Sequence, residues 1–258
     1  MIKLTFLGTC SGTEPMPNRH HSSFVMEVDG ILYWFDAGEN CSHRAHTMGL
    51  DLTRVRAVFL SHMHIDHTGG LANLLFTINK ITRIHKIPHI NNNAYDVFAA
   101  DLAAFENIQR VAFYPSVESN TRVTVTAHQV ADGVVFDDGR VRVIAFHNTH
   151  LKETGENGWH AYSYVIEAEG KRIVFSGDVG APAELDACMA GGCDALIMET
   201  GHHSLADVCR YAAQQGARRL LLTHHHRSMM KDMTTAEAFV ATQPISARLM
   251  HDGDVEIL

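Results

Sequence analysis

Between Ser61 and Gly70 the chain reads SHMHIDHTGG, which puts His62, His64, Asp66 and His67 within six residues. Neutral imidazole nitrogens and carboxylate oxygens are the donors that zinc and similar divalent cations take. The preceding run Val55–Leu60 is short and rich in branched and aromatic residues, the composition of a buried strand. On a loop leaving that strand, positions 62 and 64 face one side. Positions 66 and 67 turn toward the other as the chain bends into a helix. That is a scaffold for two adjacent cations. A histidine-rich surface turn is the plain alternative, and the recurrence of the same residue types at later strand ends argues against it.

Those later positions depend on the elements that carry them. Val141–Phe146 alternates like a strand and is followed by Asn148-Thr149-His150. Lys171–Phe175 is a second strand, followed by Ser176-Gly177-Asp178, where Gly177 lets the backbone turn tightly and Asp178 could bridge two cations. Arg219–Thr223 is a third, ending in His224-His225-His226. Open α/β sheets gather their chemistry at the carboxyl ends of strands, so these ends can converge on one mouth. Further strands are predicted at 2–7, 22–28, 31–36, 122–127, 133–136, 160–168 and 194–199, with a last pair near 247–257. Helices are predicted near 42–49, 68–76, 94–108, 182–190, 204–214 and 234–242. In 94–108 the apolar positions Val97, Leu102, Phe105 and Ile108 suggest a helix laid on the body, or a rim or lid over the pocket. Strand meanders followed by strand–helix alternation in each half predict two facing sheets with helices outside, a four-layer αββα sandwich of the α/β class.

Composition sets the limits. The 258 residues are 46% hydrophobic and show no repeat, low-complexity stretch or linker, so one domain over 1–258 is expected. No apolar run nears the roughly 20 residues that span a bilayer. Met1–Gly8 enters a strand at once without a leader-like apolar region, so a cytoplasmic location is expected. The five cysteines are odd in number and lack C-x-x-C spacing, which points to small buried residues rather than disulfides or a cysteine zinc cage. Formal net charge is −8 and no basic run exists, which speaks against a long nucleic acid gripped through many phosphates. A small anionic substrate remains compatible, because bound cations reverse the local sign.

These residues resemble the metallo-β-lactamase superfamily, whose H-x-H-x-D-H signature positions 62–67 match in full. The resemblance runs over nearly the whole chain and is strongest to the ribonuclease Z branch and its phosphodiesterase relatives. Phe6-Leu7-Gly8-Thr9, Asn18-Arg19 before Ser22-Ser23, Phe35-Asp36-Ala37-Gly38-Glu39, Glu199 and His203-Ser204 follow that branch. The resemblance implies two divalent ions, zinc first, with manganese or iron as alternatives. It assigns His62, His64 and His150 to one ion, and Asp66, His67 and His224 to the other, with Asp178 bridging and room for a bridging hydroxide. Asp36 is read as a supporting residue behind the ligands. His147 competes with His150, which the family spacing favours; His225 and His226 compete with His224, which its place directly after the strand-ending Thr223 favours.

The implied chemistry is hydrolysis of a phosphodiester, with Asp66 holding the nucleophile in line. His203 is expected to protonate the leaving oxygen and Glu199 to orient that imidazole. His202 is nearly its equal on chemistry. Two departures bear on the substrate. Asp178 follows His150 by only 28 positions, which leaves no length for the arm that grips tRNA in true ribonuclease Z. The loop Cys10–His21 lacks the cysteine-rich zinc site frequent in cyclic phosphodiesterases of phosphonate metabolism. A small or cyclic phosphodiester is therefore the expected substrate. A carboxylic ester, lactone or thioester hydrolase and a tRNA 3′-processing endoribonuclease are the alternatives. Relatives commonly dimerise, and a homodimer is compatible. Trp159, close behind His150, could wall the pocket or sit half-buried in a hairpin.

Overall fold

Two seven-stranded sheets face each other in the computed structural model, which describes residues 1–86, 88–114, 122–151 and 158–258. The first sheet has the order β14-β1-β2-β3-β4-β5-β6. Its strands are β1 (Ile2–Gly8), β2 (Ser23–Val28), β3 (Ile31–Phe35), β4 (Val55–Phe59), β5 (Ala94–Ala99), β6 (Thr124–Gln129) and β14 (Val255–Ile257). The second has the order β13-β12-β11-β10-β9-β8-β7. It contains β7 (Gly133–Asp137), β8 (Val141–His147), β9 (Tyr162–Ala168), β10 (Lys171–Phe175), β11 (Ala195–Thr200), β12 (Arg219–His225) and β13 (Ser246–Leu249). Each sheet is half meander and half parallel: β3, β4, β5 and β6 run parallel, as do β10, β11, β12 and β13.

The strand sequences explain why both faces are covered. Along β11, Ala195 and Ile197 enter the core between the sheets, while Leu196 and Met198 enter the outer one. Along β2, Phe24, Met26 and Val28 face inward and Val25 faces outward. A strand with apolar side chains on both faces has no face to give to water, so helices must close the outside. Phe105 of helix Leu102–Ala112 and Leu71, Leu74, Leu75 and Ile78 of helix Leu71–His85 cover the first sheet. Val208, Cys209 and Ala212 of helix Leu205–Gln214, with Ala236 and Val240 of helix Met233–Ala241, cover the second. This is the expected four-layer αββα arrangement. All five cysteines are free and buried. Among the described residues, no helix is long and apolar enough to cross a membrane.

The segment after position 80 departs from expectation. The helix begun at Leu71 runs on to His85, and Ala94–Ala99 is not helical but the strand β5, paired in parallel with β4 and β6. Helix Leu102–Ala112 starts only after Asp101, whose side chain accepts from the Ala104 N–H at 2.9 Å and so caps it. Spacing of Val97 with Leu102, Phe105 and Ile108 mimicked one helical face across a strand and a helix. Phe105 is fully buried on the outer side of the sheet, so the helix lies on the body and is not packed as a lid.

Candidate metal centre

Five strand ends meet at one edge of the sandwich. The loop after β4 supplies His62, His64, Asp66 and His67; that after β8 supplies His150; that after β10 supplies Asp178. Glu199 lies in β11 and His224 in β12. The pairing of β11 with β12 slips by one residue between Glu199 and Thr200, leaving His224 as the extra residue of a bulge, with φ +50°. Bulges re-aim side chains, and this one turns His224 into the site. Asp36, at the end of β3, also has positive φ, +52°. Non-glycine residues held there are uncommon and strained, and they concentrate at functional sites. Gly177 (φ +56°) satisfies the expected tight turn before Asp178. A Cβ there would meet the Ser61 Cβ at 2.8 Å and the Tyr162 carbonyl oxygen at 2.9 Å.

All seven expected ligands come together, in two groups. His62, His64 and His150 form the first; His150 Nε2 lies 3.3 Å from His64 Nδ1. Asp66, His67, Asp178 and His224 form the second, all four buried. His224 Nε2 is 3.2 Å from Asp66 Oδ2 and 3.3 Å from Asp178 Oδ2, and His67 Nε2 is 3.5 Å from Asp178 Oδ1. Asp178 also reaches the first group, with Oδ2 at 3.9 Å from His62 Nε2 and 3.7 Å from His150 Nε2. It stands between the groups as a shared carboxylate would.

Two observations test whether this donor set fits cations. His62 Nε2, His67 Nε2 and Asp178 Oδ1 are buried with no hydrogen-bond partner among the described residues. Such atoms are rare, and here they are the ones aimed at the middle of the cluster. The electrostatics agree. Burial alone would keep His67 and His224 neutral, yet Asp178, helped by Asp36 and Asp66, raises His67 well above its usual range and His224 to about 9. Burial and the neighbouring His67 push His62 the other way, well below that range. Burial disfavours charge on Asp66 and Asp178, but the surrounding imidazoles outweigh it and hold both carboxyls well below normal. Without a cation, protons on two imidazoles must balance the carboxylates. The residues present fit a pair of divalent ions.

A layer behind the ligands fixes them. Asp36, fully buried, accepts from His67 Nδ1 at 2.7 Å, from the Ser61 N–H at 2.7 Å and from the Ser61 hydroxyl at 2.8 Å. A buried carboxylate costs roughly several kcal/mol unless fully bonded. These bonds offset that cost and leave His67 Nε2 facing the cluster. Glu199, 1% exposed, accepts from His202 Nδ1 (2.8 Å to Oε2), from the His202 N–H (3.0 Å) and from the Val179 N–H (3.0 Å). It also stands 3.6 Å from His224 Nδ1. Burial works against its charge, but the bond with His202 and the nearby His224 imidazole lower its carboxyl to about 2. Asp178, Glu199, His202 and His224 form a third group of cation-sized spacing, but both Glu199 oxygens are already bonded.

Of the adjacent histidines it is His202, not His203, that stands beside the cluster. Its ring lies 5.0 Å from that of His150, its Nδ1 3.9 Å from Asp178 Oδ2, and its side chain is 44% exposed at the mouth. His203 Nε2 instead bonds the Val179 carbonyl at 3.0 Å, 3.5 Å from Glu199. Gly201 turns the chain back over the end of β11, bringing residue 202 onto Glu199, while 203 already leads to Ser204, the helix cap. Neighbouring histidines have other partners. His147 bonds Asp132 and stacks on Trp159 at 4.2 Å; His225 bonds the Met250 carbonyl; His226 bonds Ser228. Lys152–Asn157, the rest of the loop before Trp159, lie outside the described residues.

Comparison with known proteins gives the following. The Beta-lactamase superfamily domain matches residues 33–225. A Ribonuclease Z of Mycolicibacterium paratuberculosis is 28% identical, covering 99% of this chain and 97% of its own. The metallo-beta-lactamase fold protein YhfI from Bacillus subtilis superposes with a TM-score of 0.76 at 19% identity, over 99% of this chain and 98% of that one. A diphosphatase from the PhnP family superposes with a TM-score of 0.69 at 19% identity, over 100% and 98%.

Proposed function

This chain belongs to the beta-lactamase superfamily and is a hydrolase, and from that premise we propose that it is a dinuclear phosphodiesterase acting on a small or cyclic phosphodiester. The observation that carries the reading is the pairing of the ligand cluster with a carboxylate–imidazole dyad, the buried Glu199 and His202 at the mouth. His62, His64 and His150 would hold one divalent cation and Asp66, His67 and His224 the other, with Asp178 shared. Zinc suits the donors best, and manganese and iron are the alternatives. Such a pair, when bound, activates water at neutral pH and offsets charge at phosphorus.

The chain's own groups do the rest. Asp66 accepts a hydrogen bond from the attacking water and holds it in line. His202 donates a proton to the departing oxygen; the hydrogen bond to Glu199 raises its pKa, so the ring is charged when the bond breaks. Carbonyl chemistry has no need of that donor in the same degree, which is why the dyad favours phosphorus. The net charge of −8 and the short span from His150 to Asp178 favour a small substrate. The Ribonuclease Z relative favours a second reading, cleavage of an RNA 3′ end by the same groups.

Initial rates on bis(p-nitrophenyl) phosphate, p-nitrophenyl acetate and a precursor tRNA separate these readings. The account expects turnover of the diester, a kcat lower by about 10²–10⁴ in His202→Ala, and a near-normal rate in His203→Ala. Turnover of the acetate alone would refute it, and specific tRNA cleavage would favour the second reading.

A further inference from the structure

The loops that deliver His150 and Asp178 come from different strands, and one side chain ties them together. Glu184, half-buried in the turn Pro182–Leu185, accepts from the Thr149 N–H at 3.0 Å and the Gly180 N–H at 3.3 Å through Oε2, and from the Thr149 hydroxyl through Oε1. Thr149 precedes His150, and Gly180 follows Asp178 by two. The fit is close: a Cβ on Gly180 would meet Thr149 Oγ1 at 2.5 Å and Glu184 Oε1 at 2.8 Å. On its other side the His150 loop is pinned by Asn148, whose Oδ1 accepts from the His150 N–H at 3.0 Å and whose Nδ2 donates to Ser163 at 3.2 Å.

We propose that Glu184 is a positioning residue that sets the cation affinity of the His62–His64–His150 group, by clasping the His150 loop to the Asp178 loop. The proposal rests on the dinuclear reading above. His62 and the second group are held by buried partners within the sheets, whereas His150 is carried by a loop at the surface. Fixing Thr149 therefore fixes the backbone that carries His150. The Thr149 and Gly180 N–H groups need an acceptor. Glutamine can supply it with its carbonyl oxygen, while its amide donates to the Thr149 hydroxyl oxygen in place of the bond that Glu184 accepts; alanine can do neither.

The test is a zinc titration of metal-free protein against a competing chelator, on wild type, Glu184→Ala, Glu184→Gln, Thr149→Val and, as reference, His64→Ala. Wild type should take up two ions. Glu184→Ala should weaken, by about 10–100-fold, the site that His64→Ala removes, and leave the other unchanged. Glu184→Gln should restore most of the affinity, and Thr149→Val should fall between. Equal loss at both sites, or none at either, would overturn the proposal. If Glu184→Ala does not fold, Thr149→Val decides: wild-type affinity at both sites refutes the clasp. Wild type taking up no zinc would refute the dinuclear reading itself, and the clasp with it.

Discussion

Asp178 stands between two candidate ligand groups that are built differently. Asp66, His67, Asp178 and His224 are buried, include two carboxylates and are backed by Asp36 and Glu199. His62, His64 and His150 are all imidazole; His64 is exposed, and His150 sits on a loop held by Asn148 and Glu184. The difference teaches where each gets its strength. The Asp66–His67–Asp178–His224 group is preorganised by charge: carboxylates buried together in a low-dielectric interior favour a cation. The His62–His64–His150 group is preorganised by the backbone, and gains negative charge through Asp178. The buried group is accordingly expected to bind its ion more tightly and to keep it longer against a chelator.

Removing the support of the buried group is the strongest way to break that contrast. Asp36→Asn keeps the shape but lets the side chain amide face His67 Nδ1, which spoils the bond that orients the ring. Zinc affinity of the tighter site should fall by about 10–100-fold while the weaker site changes little, read by chelator competition. The reverse pattern would mean that the two groups have been ranked wrongly.

Proton competition sharpens the contrast more gently. In metal-free protein His224 is raised to about 9, so its contribution to stability is complete below its ordinary 6.5 and is lost as pH rises through 9. Glu199, lowered to about 2 from an ordinary 4.5, contributes above 4.5 and loses this as pH falls toward 2. Metal-free protein should therefore show a higher urea midpoint at pH 5.5 than at pH 9.5. Zinc uptake at pH 7 should release the His67 and His224 protons, about two per protein, measurable in two buffers of different ionisation enthalpy. A flat stability profile with no proton release would count against the charge balance described here.

Much of the site was legible because its ligands follow strands whose apolar runs are unambiguous. Val55–Leu60 and Lys171–Phe175 mark the ends of their strands, with His62 and Asp178 just past them, and His224 directly follows the apolar run Arg219–Thr223, inside β12. The parts that were not legible depend on geometry that composition does not encode. Nothing in the letters shows that Gly201 folds His202 back onto Glu199, or that a bulge presents His224 and hides His225. Glu184, within the helix expected near 182–190, has no sequence feature that sets it apart until its partner Thr149, 35 positions earlier, is in place. The strand at Ala94–Ala99 was missed because its alternation is blurred where Phe98 and Ala99 are both buried, on opposite faces.

The most direct test of the account is the metal content of carefully purified protein, by elemental analysis, beside the variant Asp178→Asn. Two transition-metal ions per wild-type chain, falling below one in the variant as the shared carboxylate is lost, is the result predicted. Wild-type protein with no stoichiometric metal, or a variant that still retains both ions, would contradict it.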